Sequence, residues 1–177
     1  MRIAKKLLPL LGVVLWFGTI PLLAQEDEPP EMKQYRDDYE RYQKIKAMKD
    51  RVKRADELLQ FLKDRSNSKL ELTVQADYWV ILQDLNKESK WDTSTLLAER
   101  LVKVRPKTGE AYYFLGQSLK EQKKLPEAMD ALAKCVVLKN QLSAKARQFL
   151  EYIYKSVKGN LNGLDALLQK AVKDLGA

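Results

Sequence analysis

Histidine is absent from the chain, and Cys135 is the sole thiol. A Ser or Cys nucleophile therefore has no imidazole to activate it, and the commonest metal ligand is missing. A single cysteine also excludes an intrachain disulfide and a Cys-rich zinc site. Carboxylates are plentiful, but none forms an isolated pair on an apolar face. Glu71, Asp77, Asp84 and Glu88 read as a charged helix surface, whereas glycosidase chemistry needs two carboxylates across a cleft. The expected protein is thus not an enzyme and carries no cofactor and no metal. The densest charge lies in QKIKAMKDRVKR, residues 43–54, with six basic residues and one acid. That run reads as a solvated helix face, or else as a contact for an anionic surface or an acidic protein.

The elements that must position any binding residues are helices. Gly and Pro total 13, and none lies between Glu31 and Arg105. A stretch that long without breakers argues for helix and against a sheet-rich fold. Ile45, Met48, Val52, Ala55, Leu59 and Leu62 step by 3, 4, 3, 4 and 3, an apolar helix stripe. Tyr35, Tyr39 and Tyr42 form a second stripe that joins the first by a step of three. Residues 32–65 are therefore one curved helix or two helices broken near Lys44–Asp50. The Tyr row either docks a partner or covers the end of the helix array. SNSKLE, residues 66–71, is a polar connection. Further helices are expected at about 72–88, 93–105, 109–123, 126–139, 142–158 and 161–175. Asp92 and Thr93 can cap a start, Pro126 suits a first turn, Pro106 ends a helix, and Gly159 and Gly163 frame a turn. Short connections place successive helices as antiparallel neighbours.

The first stretch of the chain, up to Ala24, differs in kind. MRIAKK is basic, and LLPLLGVVLWFGTIPLLA, residues 7–24, is an apolar run. This pattern fits a signal peptide ending at Ala24, or a retained anchor in the inner membrane over residues 7–24. Either way the body is expected to be exported, periplasmic or secreted, which counts against nucleic acid as a partner of the basic chain. QEDEPPE, residues 25–31, follows as an acidic, Pro-containing linker. The whole chain carries +8, and Arg2, Lys5 and Lys6 account for three of that, which leaves +5 on residues 25–177. Such an excess suits an anionic partner or surface.

A period of 34 runs through the body. Tyr78 aligns with Tyr112, Ile81 with Leu115, Leu85 with Leu119, Ala98 with Leu132, Leu101 with Cys135, and Pro106 with Asn140. A fixed period of this length means that each helix pair is one unit and that the units stack. From Gly109, the residues Tyr112, Leu115-Gly116, Leu119, Ala128, Leu132, Cys135 and Asn140 resemble the tetratricopeptide repeat, with bulky and small positions in that family's order. From Gln75, the residues Tyr78, Ile81-Leu82, Leu85, Ser94, Ala98, Leu101 and Pro106 fit less regularly. From Ser143, Ala146, Phe149-Leu150 and Ile153 fit. Gly116 reads as a packing device. A helix-interior glycine costs about 0.5–1 kcal/mol relative to alanine, offset if it lets the partner helix come close near Ala128. Cys135 falls where the motif wants a small buried residue.

The resemblance implies an all-α repeat solenoid of about three helical hairpins over residues 72–177. Residues 32–66 are then a charged helical extension or a degenerate repeat. The first helix of each pair would line a concave groove. By that resemblance the groove residues are Trp79, Gln83 and Asn86, then Tyr113, Gln117 and Lys120, then Arg147, Glu151 and Tyr154. Trp, Tyr and Arg are types that often dominate binding energy, so the implied ligand is a protein or peptide in the cell envelope. Where this family clamps a terminal carboxylate it uses an Asn, and this chain has Gln83 and Gln117 there. Self-association into a homo-oligomer, or docking through helix 32–65, is the second reading.

Overall fold

A computed structural model describes residues 29–176, and the N-terminal apolar run and residues 25–28 of the acidic linker lie outside that range. The described residues form eight α-helices and no strand. They are α1 (Pro30–Lys46), α2 (Arg51–Asp64), α3 (Glu71–Lys87), α4 (Trp91–Val104), α5 (Gly109–Glu121), α6 (Leu125–Val137), α7 (Ser143–Lys158) and α8 (Leu164–Leu175). None of these helices is long and apolar enough to cross a membrane.

Local chemistry explains the boundaries; it corrects two expectations and decides one that was open. Pro30 and Glu31 are not linker; they open α1, because proline at the first helical position loses no hydrogen bond and has a suitable φ. The 32–65 segment is two helices. The break falls at residues 47–50, where the Asp50 carboxylate accepts from the backbone N–H groups of Val52 and Lys53 and starts α2. Neither Asp92 nor Thr93 caps α4, which already begins at Trp91 without a side-chain cap. The preceding turn supplies that boundary instead. Ser89 takes a left-handed φ of 58°, while Lys90 N–H bonds Leu85 O at 2.9 Å and Ser89 N–H bonds Asn86 O at 3.1 Å. These bonds make a Schellman closure.

The same closure recurs one sequence period later. Lys123 has φ 63°, Lys124 N–H bonds Leu119 O at 2.9 Å, and Lys123 N–H bonds Lys120 O at 2.9 Å. The sequence period is thus a period of backbone geometry. Burial repeats with it. Tyr78, Ile81, Leu85, Ala98 and Leu101 are buried, and so are their partners Tyr112, Leu115, Leu119, Leu132 and Cys135. Each helix from α1 to α6 packs on the next, α2 also lies against α4, α3 against α5, and α6 against α8.

One continuous core results, running from Tyr42 to Ala171. Tyr78 reaches across the α3–α4 hairpin, its hydroxyl donating to Leu97 O at 2.9 Å. Within α5–α6 the two helices meet tightly at Gly116. A Cβ there would sit 2.6 Å from Leu132 Cγ and 3.3 Å from Ala128 O, and Ala128 is fully buried. Asn140, which stands where the α3–α4 unit has Pro106, stops α6 by hydrogen bonding. Its amide donates to Cys135 O, and its Oδ1 accepts from Leu142 N–H. That side chain occupies the space that a Cβ on Gly109 would need. Cys135 is buried, and burial pushes its thiol up to about 11.

Candidate binding groove

On α3, Leu72, Ala76, Trp79, Gln83 and Asn86 follow one another at steps of four and three, which places them on one helix face. The equivalent face of α5 carries Tyr113, Gln117 and Lys120. Because α3 and α5 lie side by side, the two faces adjoin. The contact is fixed by Asn86, whose amide N–H₂ donates to Phe114 O at 3.3 Å and faces Gln117 Oε1 at 3.4 Å. The Ser118 hydroxyl donates to Asn86 Oδ1 at 2.8 Å. Asn86 is therefore a buried bridge between two helices, with its hydrogen-bonding capacity committed within the fold.

A cavity of about 350 Å³ opens beside this bridge. Its floor and walls include Gln83 and Asn86 of α3, Tyr113 and Gln117 of α5, and Lys145 and Phe149 of α7. Trp91, Phe114 and Leu142 add apolar wall, and Lys87 and Glu121 stand among its lining. Tyr113 packs edge-on against Phe114, with ring centroids 5.6 Å apart, and its hydroxyl accepts from Gln117 Nε2. Burial, and then the nearby Cys135, raise the Tyr113 phenol, so the ring presents a neutral hydroxyl at any ordinary pH. The site is an aromatic trough whose lining also holds the Gln83, Asn86 and Gln117 amides, the Lys87 and Lys145 ammonium groups and the Glu121 carboxylate. That combination suits extended peptide, whose backbone needs amide partners and whose side chains need apolar pockets.

Of the nine residues expected from sequence, four line the cavity: Gln83, Asn86, Tyr113 and Gln117. Trp79 is half-buried on the same face of α3 and packs against the core, and its indole Nε1 is shielded from solvent with no acceptor among the described residues. Lys120 is drawn to Glu121 at 2.7 Å. Arg147 and Glu151 pair with each other along α7 at 2.6 Å. Tyr154 is buried, and its hydroxyl donates to Asn162 O at 2.8 Å, closing the α7–α8 connection. α7 therefore meets the cavity with a different face, carrying Lys145 and Phe149. Shifting the repeat pattern by one period assumes that α7 sits as α5 does, and so misses this face.

The Tyr row divides. Tyr42 is buried and donates to Asp77 at 2.7 Å, tying α1 to α3. Tyr35 and Tyr39 remain exposed and stack on each other at 6.2 Å. Comparison with protein-family models, with curated proteins and with solved structures finds no match for this chain.

Proposed function

We propose that the chain is an exported, non-catalytic binding module of tetratricopeptide-like architecture that captures a protein or peptide segment in its α3–α5–α7 trough. The observation behind this reading is the trough itself: Trp91, Tyr113, Phe114 and Phe149 supply apolar anchoring, while Gln83 and Gln117 supply amides beside it. The repeat architecture is supported by the two Schellman turns one sequence period apart and by paired burial at the same spacing. Export, to the periplasm or beyond, rests on the basic-then-apolar pattern of residues 1–24. An anchor over residues 7–24 would hold the same module at the inner membrane.

Selection of peptides from a random library on the full chain tests the trough. Enriched peptides carrying an apolar side chain are expected to bind Tyr113→Ala and Lys145→Glu variants at least about tenfold more weakly, the loss typical of a hot-spot residue. Peptides that bind both variants as well as the parent overturn the reading.

A structural role has its own observation. Met32, Tyr35 and Tyr39 are all exposed on α1, and the two rings stack on each other. Such a surface suits assembly with a second copy or with a larger complex. Sedimentation velocity on the full chain, with and without Tyr35→Ala and Tyr39→Ala together, decides this. A mass that falls only in the double variant favours assembly, and a concentration-independent monomer in both removes it.

A further inference from the structure

The α1–α2 corner is the most cationic stretch of the described residues, and the fold does little to neutralise it. Lys44, Lys46, Lys49 and Lys53 are all exposed there. The acid among them, Asp50, is committed to capping α2. Lys46 lies over the Tyr42 ring at 5.7 Å, which does not reduce its charge.

Two cross-links bring further turns to the same edge. Arg51 at the start of α2 makes a fork to Glu88 at the end of α3, at 2.6 and 2.8 Å, so the α3–α4 turn lies beside the α1–α2 turn. Gln122 after α5 donates to Thr95 in the first turns of α4 at 2.7 Å, and a shallow recess joins Gln122 to residues 89–93. The α5–α6 turn therefore comes next in the row. These turns add Lys87, Lys90, Lys123 and Lys124, all exposed. Acids interrupt this edge, but most are engaged. Glu88 is shared by Arg51 and Lys90, Glu121 is held by Lys120, Asp84 by Lys87, and Asp56 by Arg100. Glu57, Asp92 and Glu127 complete them.

On the opposite edge, three cations are matched across elements. Arg65 faces Asp38 at 3.1 Å, Lys69 faces Glu31 at 3.8 Å, and Arg105 bonds Glu71 at 2.6 Å. Lys63, Lys103 and Lys107 are also exposed on that edge, but no run there is as dense in cations as residues 43–54.

The composition of the lysine row narrows the partner. Lysines, compact and strongly hydrated point charges, make up most of this edge; of the two arginines in its basic run, Arg51 is already occupied by Glu88 and Arg54 is half-buried with its Nε shielded from solvent. Such a row senses a surface of negative charge rather than individual phosphates. Single-stranded nucleic acid would need a row of aromatic stacking platforms, and the tips offer only Trp91, half-buried as trough wall. Apolar atoms are present instead: Val52 is 40% exposed and Met48 half-exposed between Lys46 and Lys53. A soluble polyanion has no use for them, whereas at a bilayer they enter the headgroup region while lysine stems lie along it.

We infer that the edge formed by the α1–α2, α3–α4 and α5–α6 turns docks on an anionic phospholipid surface. Among the charged residues of this edge only Lys87 and Glu121 also line the trough, and neither is altered in the test, so the two readings succeed or fail separately.

Co-sedimentation of the full chain with phosphatidylcholine vesicles, with and without phosphatidylglycerol, tests it. The combined variant Lys49→Glu, Lys53→Glu, Lys123→Glu is compared with a control that makes the same charge change on the other edge, Lys63→Glu, Lys103→Glu, Lys107→Glu. Both retain the N-terminal apolar run, so its contribution cancels. Binding to phosphatidylglycerol vesicles is expected to drop about tenfold or more in the first variant and less than about threefold in the control, and to weaken with salt. Equal losses in the two would show a net-charge effect and overturn the inference, as would equal binding of the parent to neutral and anionic vesicles. Val52→Ser is expected to weaken vesicle binding while leaving binding to soluble polyglutamate unchanged. If Val52→Ser has no effect on vesicle binding, a soluble polyanion and not lipid is the partner. Lysine-to-glutamine versions of both triples give the same ranking if the reversals unfold the chain.

Discussion

The α5–α6 and α7–α8 hairpins are consecutive, yet they are held together differently. In α5–α6, Ala128, Met129, Ala131, Leu132, Ala133 and Cys135 of the second helix are all buried. In α7–α8 the second helix buries only Leu164 and Ala171. The first hairpin closes through a tight Schellman turn at Lys123; the second needs a longer connection bounded by two left-handed glycines, Gly159 (φ 77°) and Gly163 (φ 88°). α8 leans mainly on α6, across the hairpin boundary, while Tyr152, Val157, Leu161 and Val172 stay exposed. A helix between two neighbours buries its apolar stripe twice. A terminal hairpin buries it once, so close helix approach brings it less.

The largest expected difference is in the cost of a cavity. Leu132 is fully buried between Gly116 and the rest of α6. Leu132→Ala should cost about 2–5 kcal/mol, because the surrounding interlock cannot collapse into the space. Leu168→Ala, on half-buried α8, should cost about half of that or less. Urea unfolding monitored by circular dichroism checks both, read from midpoints at constant slope. Equal costs would mean that α8 is as integral to the core as α6.

A smaller difference separates two glycines that look alike in sequence. Gly116→Ala puts a methyl 2.6 Å from Leu132 Cγ and 2.9 Å from its Cδ2. The helix gains from losing a glycine, but the buried leucine has nowhere to move, and a net cost of about 1–3 kcal/mol is expected. Gly159→Ala meets open space and only the left-handed φ opposes it, at about 1–2 kcal/mol. A double variant, Gly116→Ala with Leu132→Ala, should recover part of the first loss, since the alanine fills the vacated volume; Gly159→Ala should be simply additive with Leu132→Ala. Additivity in both cases would show that Gly116 has no packing role.

How much of this was legible in the sequence follows from the same contrast. Helix positions between Glu71 and Val137 could be read because burial on both sides enforces the helical period and the longer repeat together. The Gly116–Leu132–Ala128 interlock was readable as a size pattern. Asp50 as a cap was there to be read, but the continuous stripe from Ile45 to Leu62 masked it. The expected start of α4 lies two residues late, because Ser89 is not a residue type that announces a left-handed turn while Asp92 and Thr93 look like caps. In the groove, the repeat pattern reaches Gln83, Tyr113 and Gln117 because α3 and α5 keep one geometry. It does not reach Lys145 and Phe149, because the rotation of α7 depends on what packs against it, a tertiary outcome without a local signal.

The finest distinction lies in the ion pairs that clasp each flanking hairpin to the centre, and it is readable as opposite pH responses. Arg51 and Lys90 hydrogen bond to Glu88 and pull its carboxyl from 4.5 to about 2. A depressed carboxylate stabilises the fold above its unfolded pKa, so the α1–α2 clasp is fully present above about 4.5 and is lost as pH falls towards about 2. On the other side Lys170 of α8 bonds Asp130 of α6 at 3.0 and 3.2 Å, and that carboxylate raises the ammonium above 10.5. A raised ammonium stabilises below its unfolded pKa, so the α6–α8 clasp holds below about 10.5 and is lost as pH rises through the folded value. Both pairs are exposed and screened by salt, so each effect is small. Denaturation midpoints of Arg51→Met and Lys170→Met, each subtracted from the parent across the pH range, should therefore part in base: the Lys170→Met difference vanishes there, while the Arg51→Met difference persists because the guanidinium stays charged. A Lys170→Met difference that persists into strong base alongside that of Arg51→Met would show that the α6–α8 clasp does not depend on the Lys170 charge.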